Sequence, residues 1–195
     1  MPVSPESKSI VAFSTAAPND GGLHPSPLEQ EVVGFFDQLR DRLLRYLLGF
    51  GIPVEDAEEI VQEAFLALFQ HLVRGKSRSH LRGWLFRVVH NLALKRRQQT
   101  QHDLENLTNS TDADATDLFV DPSPNPEDQL TNAQRRRRLL AVLRALPEQD
   151  RRCLFLRAEG LRYREIAGVL DMSLGSVSLS LVRSLARIAR AVERN

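Results

Sequence analysis

The 195-residue chain has an ordinary globular composition, with 42% hydrophobic residues, 6% aromatic residues and a net charge of +1. This composition excludes a chain that is disordered throughout, and the apolar residues show no strand-like alternation. The single cysteine excludes an internal disulfide framework, and no Cys/His spacing suggests a structural zinc. We therefore predict an all-α fold in a reducing cytoplasm, with no metal and no cofactor.

The N-terminal half is predicted to begin with a disordered tail. Residues 1–27 contain five prolines and lack both helical periodicity and the apolar core of a signal peptide. Apolar residues then recur every three or four positions from Leu28 to Gly49, which predicts an amphipathic helix. Pro53 and the two acidic residues after Val54 predict a second helix that runs to about Leu72.

A third helix and a linker follow. Ser79 is predicted to cap a helix that starts at His80 and ends near Gln99, which completes a first small domain over residues 28–100. Residues 101–131 are polar and Pro-rich. Within them, residues 103–128 carry eight acidic residues and no Lys or Arg. This composition predicts a flexible acidic linker.

Residues 132–195 are predicted to form a second small helical domain, which is basic. Residues 129–195 contain 14 basic and six acidic residues. Helix start and stop signals predict four helices here: Asn132 to Ala145, Pro147 to Gly160, Arg162 to Leu170, and a last helix capped by Ser173 that reaches about Val192.

The last two predicted helices have the pattern of a helix-turn-helix. In this motif the first helix packs across the second, which presents its N-terminal half to the major groove of DNA. Ala167 allows a close approach, and the expected shared core is Ile166, Leu170, Val177 and Leu181. A helical hairpin without a DNA role remains open from the motif alone, although the many surrounding arginines favour phosphate contacts.

Two further residue sets lie in the first domain. On the second helix a buried stripe of Ile60, Ala64, Ala67 and Leu68 leaves an acidic polar face suited to a basic partner, but a solvated helix face is the better interpretation of the spacing alone. On the third helix Trp84, Arg87, His90, Asn91, Lys95 and Arg96 combine aromatic, amide and basic groups, a set that binds single-stranded DNA. Trp84 as ordinary core is an equally good interpretation.

These segments together resemble the extracytoplasmic function group of the sigma-70 family, over about residues 30–99 and 133–192. The first-domain signature is matched by residues 56–66 and 84–94. The second-domain signature is matched by residues 143–151, 156–161, 165–167 and 175–177. Two signatures in the correct order are more specific than either one alone.

The resemblance implies a sigma factor that binds core RNA polymerase and directs promoter recognition, DNA melting and transcription initiation. It implies polymerase contacts by Asp56, Glu59, Gln62, Glu63, Phe65, Leu66 and Phe69. Contacts with the −10 element are implied for Lys76, Arg78, Trp84, Arg87, His90, Asn91, Lys95 and Arg96. Contacts with the −35 element are implied for Arg164, Ser176, Ser178, Leu179, Ser180, Arg183 and Arg187. An anti-sigma factor is a further candidate partner.

The chain departs from the family pattern at three places. Ser178 and Ser180 stand where the recognition helix commonly carries Lys and Arg, so reading of the −35 element is expected to be weak or to depend on DNA shape. Lys95 stands where Asp is usual, so a stronger contact with the DNA backbone near −10 is expected. Arg162 replaces a common Ser, so the first helix of the motif loses its usual cap.

Two other functions remain as alternatives. One is a stand-alone helix-turn-helix regulator, which has no need of the helix that carries Trp84 and Asn91. The other is a sigma-derived interaction module that reads DNA weakly, which the cation-poor recognition helix favours. We predict no enzyme activity, because the histidines are scattered and no catalytic constellation or phosphate loop is apparent; Cys153 is expected to be a buried helix residue.

Overall fold

The computed structural model describes residues 26–106 and 136–193, and every regular element in these residues is an α-helix. The helices are α1 (Pro27–Gly49), α2 (Val54–Val73), α3 (Leu81–Asn106), α4 (136–144), α5 (Glu148–Ala158), α6 (Tyr163–Leu170) and α7 (Leu174–Glu193). The all-α prediction is confirmed. Almost all of the predicted tail and linker lies outside the described residues.

The ends of α1 are set by local sequence signals. Ser26 Oγ accepts the Glu29 N–H at 3.3 Å, and the Glu29 carboxylate accepts the Ser26 N–H at 2.6 Å, which forms a capping box. Pro27 occupies the first turn, where its missing N–H costs no helical bond. At the other end Gly51 has a φ of +88°, a value that glycine adopts readily, and it turns the chain toward α2.

The start and the end of α3 differ from the prediction. Ser79, predicted to cap this helix, instead shares a hydrogen bond with Ser77 Oγ at 2.7 Å, and the helix begins at Leu81. It continues to Asn106, well past the predicted end near Gln99. Residues 98–106 contain neither Pro nor Gly, so nothing in their sequence breaks the helical hydrogen bonds.

The helices form two bundles. In the N-terminal bundle, α1, α2 and α3 pack on one another around buried side chains such as Leu43, Ile60 and Phe86. In the C-terminal bundle, α5, α6 and α7 pack around Leu156, Ile166, Val177 and Leu181. Burial of each large aliphatic or aromatic side chain contributes about 1.5–3 kcal/mol, so these clusters hold the helices in place.

The two bundles also contact each other, which the sequence did not predict. Helix α3 contacts α6, α1 contacts α5, and one apolar cluster runs through both bundles. At one point the Phe155 ring lies 3.1–3.2 Å from the position that a Cβ would occupy at residue 49. A Cβ at this position would require the ring to move by a few tenths of an ångström, so Gly49 allows the close approach of Phe155 in addition to its place at the end of α1.

No single helix among the described residues is long and apolar enough to span a membrane. The bent pair α6 and α7 meets that test by length and composition only. The same described residues hold no group of three or more His, Cys, Asp or Glu side chains placed to bind a metal ion.

Candidate nucleic-acid interface

The exposed side of α2 carries the predicted acidic face. Glu59, Gln62 and Glu63 are exposed, Asp56 is half-buried, and Leu66 is 58% exposed beside them. On the opposite side Ile60, Ala64 and Leu68 are buried, as the spacing predicted, whereas Ala67 is only half-buried. The helix therefore presents carboxylates around one exposed leucine, a combination suited to a basic partner with an apolar centre.

Phe65 does not belong to this exposed face, although it was predicted to contact polymerase. Its side chain is buried and meets the Phe36 ring edge-on, with 5.0 Å between ring centroids. Phe69, from the same predicted set, is half-buried. Phe65 therefore fixes α2 against α1 and does not offer a contact surface in this structure.

Helix α3 exposes a polar stripe formed by Trp84, Arg87, Asn91 and Lys95, which we call the outer stripe. Steps of three and four residues place these side chains on one helix face. Arg87, Asn91 and Lys95 are exposed, and Trp84 is half-buried with its ring 4.7 Å from the His71 ring. The stripe thus presents an aromatic ring packed against His71, an amide and two cations along one helix face. This combination suits an unpaired DNA strand, whose bases stack on aromatic rings and whose phosphates bind cations.

His90, also predicted to contact DNA, faces the other way and is not presented to DNA in this structure. The side chain is 4% exposed, and its Nδ1 lies 2.7 Å from the buried Tyr46 hydroxyl. Burial, followed by the nearby charge of Arg152, lowers the pKa of His90 to about 4. A neutral His90 therefore belongs to the core between α1 and α3, and burial likewise raises the pKa of Tyr46.

Arg96 joins the acidic face of α2 to the outer stripe of α3. One guanidinium nitrogen donates to Asp56 Oδ1, and the other donates to Glu59 Oε2 at 2.8 Å. The hydrogen bond that Arg96 donates to Glu59 is the largest cause of the raised pKa of Arg96. Two predicted polymerase residues and one predicted DNA residue are thus bonded to one another.

The loop before α3 carries two further predicted DNA residues. Lys76 and Arg78 are exposed, and Arg78 makes only a 3.4 Å ion pair with Glu31 in the described part of the chain. His71 Nε2 lies 3.0 Å from the Ser77 carbonyl and ties the loop to α2. Both cations therefore stand at the Trp84 end of α3, where they extend its polar surface.

Helices α6 and α7 have the geometry of a helix-turn-helix. The chain bends by 104° between them, within the range of about 90–120° typical of the motif. Asp171 adopts the left-handed conformation that ends α6, and Ser173 Oγ accepts the Ser176 N–H at 3.1 Å, which confirms the predicted cap of α7. Arg162 gives α6 no side-chain cap, as expected.

The outward side of α7 is more apolar than a DNA-reading helix requires. Leu179, Val182 and Leu185 are all more than half exposed, whereas Ser178 is half-buried and the Ser176 hydroxyl shares a bond with Ser173. Ser180, predicted to contact DNA, is 2% exposed and is not presented to DNA in this structure. It lies on the core side of α7, one helical turn before Ser184, whose hydroxyl donates to the Ser180 carbonyl at 2.8 Å.

The arginines predicted to contact DNA in the C-terminal bundle differ in whether an acidic side chain of the bundle already binds them. Arg164 and Arg187 are exposed. Arg183 donates to Asp150 Oδ1 at 3.0 Å, and this Asp side chain is almost fully buried. Arg183 therefore stabilises the contact of α7 with α5, and Arg164 and Arg187 are the more accessible of the arginines predicted to contact DNA.

Residues between the bundles form a site that sequence reasoning missed. Glu159, at the end of α5, accepts hydrogen bonds from Arg45 of α1 at 2.9 Å, and Arg97 of α3 donates to Glu148 of α5. The only sequence signal is an isolated acid before Gly160 in a strongly basic segment. That signal does not identify the partner arginine, which lies more than a hundred positions away in the sequence.

Two family models match the chain in order. The model described as Sigma-70 region 2 matches residues 35–102, and the model described as Sigma-70, region 4 matches residues 136–188, so that together they cover more than half of the sequence. The chain belongs to the sigma-70 family. The region 2 match takes in α2 and the outer stripe of α3, and the region 4 match takes in α6 and most of α7.

Curated relatives place this sigma factor in the extracytoplasmic function group. It is 26% identical over 153 residues to the ECF RNA polymerase sigma-E factor of Escherichia coli K12, covering 75% of this chain and 79% of that protein. It is 33% identical over 149 residues to a probable RNA polymerase sigma factor, RfaY, of Xanthomonas campestris pv. campestris. That match covers 76% of this chain but only 36% of the Xanthomonas protein.

Solved structures share the fold. The sigma factor RpoE from Bartonella quintana, in complex with the anti-sigma factor NepR, aligns with a TM-score of 0.60 at 17% identity, over 82% of this chain and 97% of that one. CnrH, in complex with the cytosolic domain of CnrY, aligns with a TM-score of 0.55 at 21% identity, over 85% and 90% of the two chains. At these identities the likeness concerns the arrangement of helices.

Proposed function

We propose that this sigma factor binds core RNA polymerase and directs it to promoters, acting through binding and not through catalysis. Three surfaces have separate roles in this function. The acidic face of α2 contacts polymerase through Asp56, Glu59, Gln62, Glu63 and Leu66. The outer stripe of α3, with Lys76 and Arg78, holds the −10 element, and α7 with Arg164 approaches the −35 element. The proposed location is the cytoplasm, where core polymerase acts.

The observation that carries the proposal is the outer stripe of α3 beside the acidic face of α2, in a chain of this family. Trp84 is held against His71 with part of its ring accessible, and Arg87 and Lys95 follow it along one face. An aromatic ring stacks on an unpaired base while the cations contact phosphates on either side. A stand-alone regulator that binds duplex DNA has no use for this combination.

Transcription from the promoter region upstream of the gene for this protein tests the proposal. Purified core polymerase is supplied with the full chain, and run-off transcripts are mapped. New initiation at a defined start supports the sigma function. DNA binding without polymerase binding or transcription would favour the stand-alone regulator instead.

A pair of matched variants tests the polymerase surface. Leu66→Ala removes an exposed side chain from the acidic face of α2, and Val33→Ala removes one of similar exposure, 58% against 55%, from α1. Neither change opens a core cavity, so both proteins should fold normally. We expect Leu66→Ala to weaken binding to core polymerase by roughly tenfold, as for a central apolar contact, and Val33→Ala to leave it unchanged. Equal affinities for the two variants would contradict this assignment.

The interaction-module alternative has one observation in its favour, the apolar outward side of α7. Exposed Leu179, Val182 and Leu185 are typical of a protein-binding helix face. Binding to polymerase without any run-off transcript would put this function ahead. We propose an anti-sigma factor as a further partner, since the Bartonella quintana relative in fold was solved with one.

A further inference from the structure

Glu159 connects the C-terminal bundle to the N-terminal bundle. Its side chain is only 10% exposed at the end of α5. Arg45 of α1 donates from Nε and Nη2 to the two carboxylate oxygens, both at 2.9 Å, and Arg42 Nε lies 3.8 Å from Oε2. The Arg45 contact is the fork-on-fork geometry in which a guanidinium binds a carboxylate or a phosphate.

A third guanidinium reaches the same place from α3. Arg82 Nη2 donates to the Glu159 carbonyl, while its Nε is buried and has no hydrogen-bond partner among the described residues. The Nη2 atoms of Arg82 and Arg42 lie 3.1 and 3.4 Å from the position of a Cβ at Gly160. Burial, followed by the charge of Arg42, lowers the pKa of Arg82. We call Arg42, Arg45 and Arg82 the arginine triad.

The triad carries more positive charge than its own bundle neutralises. Asp41 lies near Arg45, but its carboxylate pairs with Arg40 at 3.2 Å. The acids that face Arg82 are Glu159 and Glu165, and both belong to the C-terminal bundle. If the bundles separate, three clustered guanidinium groups lose most of their counter-charge, which makes them a strong site for another anion.

Promoter binding requires that separation. The −35 and −10 elements lie roughly 25 base pairs apart, or about 85 Å along the duplex at 3.4 Å per pair. Helix α6, which is joined to α7 by a short turn, contacts α3 directly, and α3 is about 39 Å long. Helices in contact do not reach both elements at once, so the bundles must part when the promoter is engaged.

We propose that the arginine triad is a binding site for a backbone phosphate of promoter DNA, which Glu159 fills as an internal ligand while the two bundles are in contact. This inference rests on the proposed function. Arg82 lies in the first turn of α3, at the end of the helix that carries Trp84 and follows the loop with Lys76 and Arg78, so the triad lies at the same end of α3 as the proposed DNA surface. DNA phosphate and Glu159 therefore compete for the same guanidinium groups.

The central test compares two variants of the full chain that each remove one carboxylate. Glu159→Gln removes the internal ligand, and Glu58→Gln removes an exposed acid that pairs with Arg40 at 3.3 Å outside the triad. Binding to a fluorescent forked promoter DNA is measured without polymerase at several salt concentrations. We expect Glu159→Gln alone to steepen the slope of log affinity against log salt by about 1, as for one additional phosphate that the protein binds. Equal behaviour of the two variants overturns the proposal.

A second pair of variants shows where the phosphate binds. In the Glu159→Gln background, Arg45→Gln should return the salt slope and the affinity to those of the parent chain, whereas Arg40→Gln should leave most of the increase in place. Thermal unfolding followed by circular dichroism shows that each variant is folded. An increase that survives Arg45→Gln overturns the proposal, because the additional phosphate is then bound elsewhere.

A polymerase-binding measurement separates this inference from the proposed function. The parent chain and Arg45→Gln are titrated with core polymerase in the absence of DNA. If the parent binds polymerase and Arg45→Gln binds equally well, the triad acts on DNA as proposed. If Arg45→Gln loses polymerase affinity, the anion belongs to an acidic group of polymerase and the DNA-phosphate proposal fails. If the parent neither binds polymerase nor supports transcription, the proposed function itself fails.

Discussion

Helices α3 and α7 are the two proposed DNA-reading helices, and they expose opposite chemistry. The outer stripe of α3 carries Trp84, Asn91 and two cations, whereas the outward side of α7 carries Leu179, Val182 and Leu185. Phosphate contacts supply most of the salt-dependent affinity for DNA. We therefore expect α3 to bind the −10 element strongly and α7 to contribute less affinity at the −35 element.

The buried sides of these helices differ as well. The polar core residue of α3 is a titratable histidine, His90, whereas α7 buries the hydroxyls of Ser180 and Ser184. The serine hydroxyls do not ionise at accessible pH, and the Ser184 hydroxyl is satisfied by the Ser180 carbonyl. Of these buried polar residues, only His90 of α3 should therefore make the free energy of unfolding depend on pH.

The largest expected effect concerns the aromatic end of the outer stripe. Substituting Trp84 and Asn91 together by Ala should reduce promoter opening by roughly 100-fold, since a base stacked on an aromatic ring contributes about 1–3 kcal/mol and the amide hydrogen bond is removed with it. Permanganate reactivity of unpaired thymines measures opening. Leu179→Ala serves as the comparison on α7, and a similar loss for that variant would contradict the stronger role given to α3.

The next effect is a loss of stability in acid that originates at His90. Because burial holds the pKa of His90 at about 4 in the fold, against 6.5 ordinarily, only the unfolded chain takes up this proton between those values. The free energy of unfolding should therefore fall by up to about 1.4 kcal/mol per pH unit as the pH drops from 6.5 toward 4, and this contribution should be constant above 6.5.

Urea unfolding at pH 5 and pH 7 measures that dependence. His90→Gln removes the titrating group and should reduce the difference between the two pH values. The Ser184→Ala variant, which changes a buried polar residue of α7, should keep it. A pH difference that is unchanged in His90→Gln would place the titrating group elsewhere.

A smaller effect is expected for the cation at the far end of the outer stripe. Lys95→Gln should weaken binding to forked promoter DNA several-fold and reduce the magnitude of the salt slope by about 1, as for a protein that binds one phosphate fewer. Arg40→Gln removes a cation of α1 that pairs with Asp41 and Glu58, and it should leave the slope near that of the parent. Identical slopes for the two variants would exclude Lys95 from the DNA surface.

The smallest effect is an increase in affinity at α7. Ser178→Lys adds a cation to the N-terminal half of the cation-poor helix, and it should raise affinity for DNA that contains the −35 element a few-fold while the salt slope steepens by about 1. Titration of duplex DNA with and without the −35 element measures the increase. If the added charge has no effect on either duplex, α7 does not face DNA and the interaction-module function receives support.

The sequence predicted the helices well because their signals are local. The three- and four-residue spacing of α1, the proline before α2 and the Ser173 cap of α7 each act within one or two turns. The core residues Ile166, Val177 and Leu181 followed from the same spacing and are buried. The end of α3 was missed because no residue near Gln99 marks a stop.

Within the candidate site, the sequence did not always predict which side chains of a helix are exposed. Phe65, His90 and Ser180 fit the predicted sets by residue type, yet all three are buried. Helical spacing does not decide between two neighbouring faces when both carry polar and aromatic residues. The polymerase, −10 and −35 assignments of the exposed residues stay predictions that the variants above test.

By itself, then, the sequence determined an all-helical chain with two family segments in order and a helix-turn-helix near the end, because periodicity, caps and turns are encoded within a few residues of one another. The contact between the bundles was decided only by the tertiary structure. Glu159 meets Arg45 across 114 positions of sequence, and Phe155 fits against Gly49. Such contacts depend on how whole helices pack, since shape and charge match only after each bundle has formed.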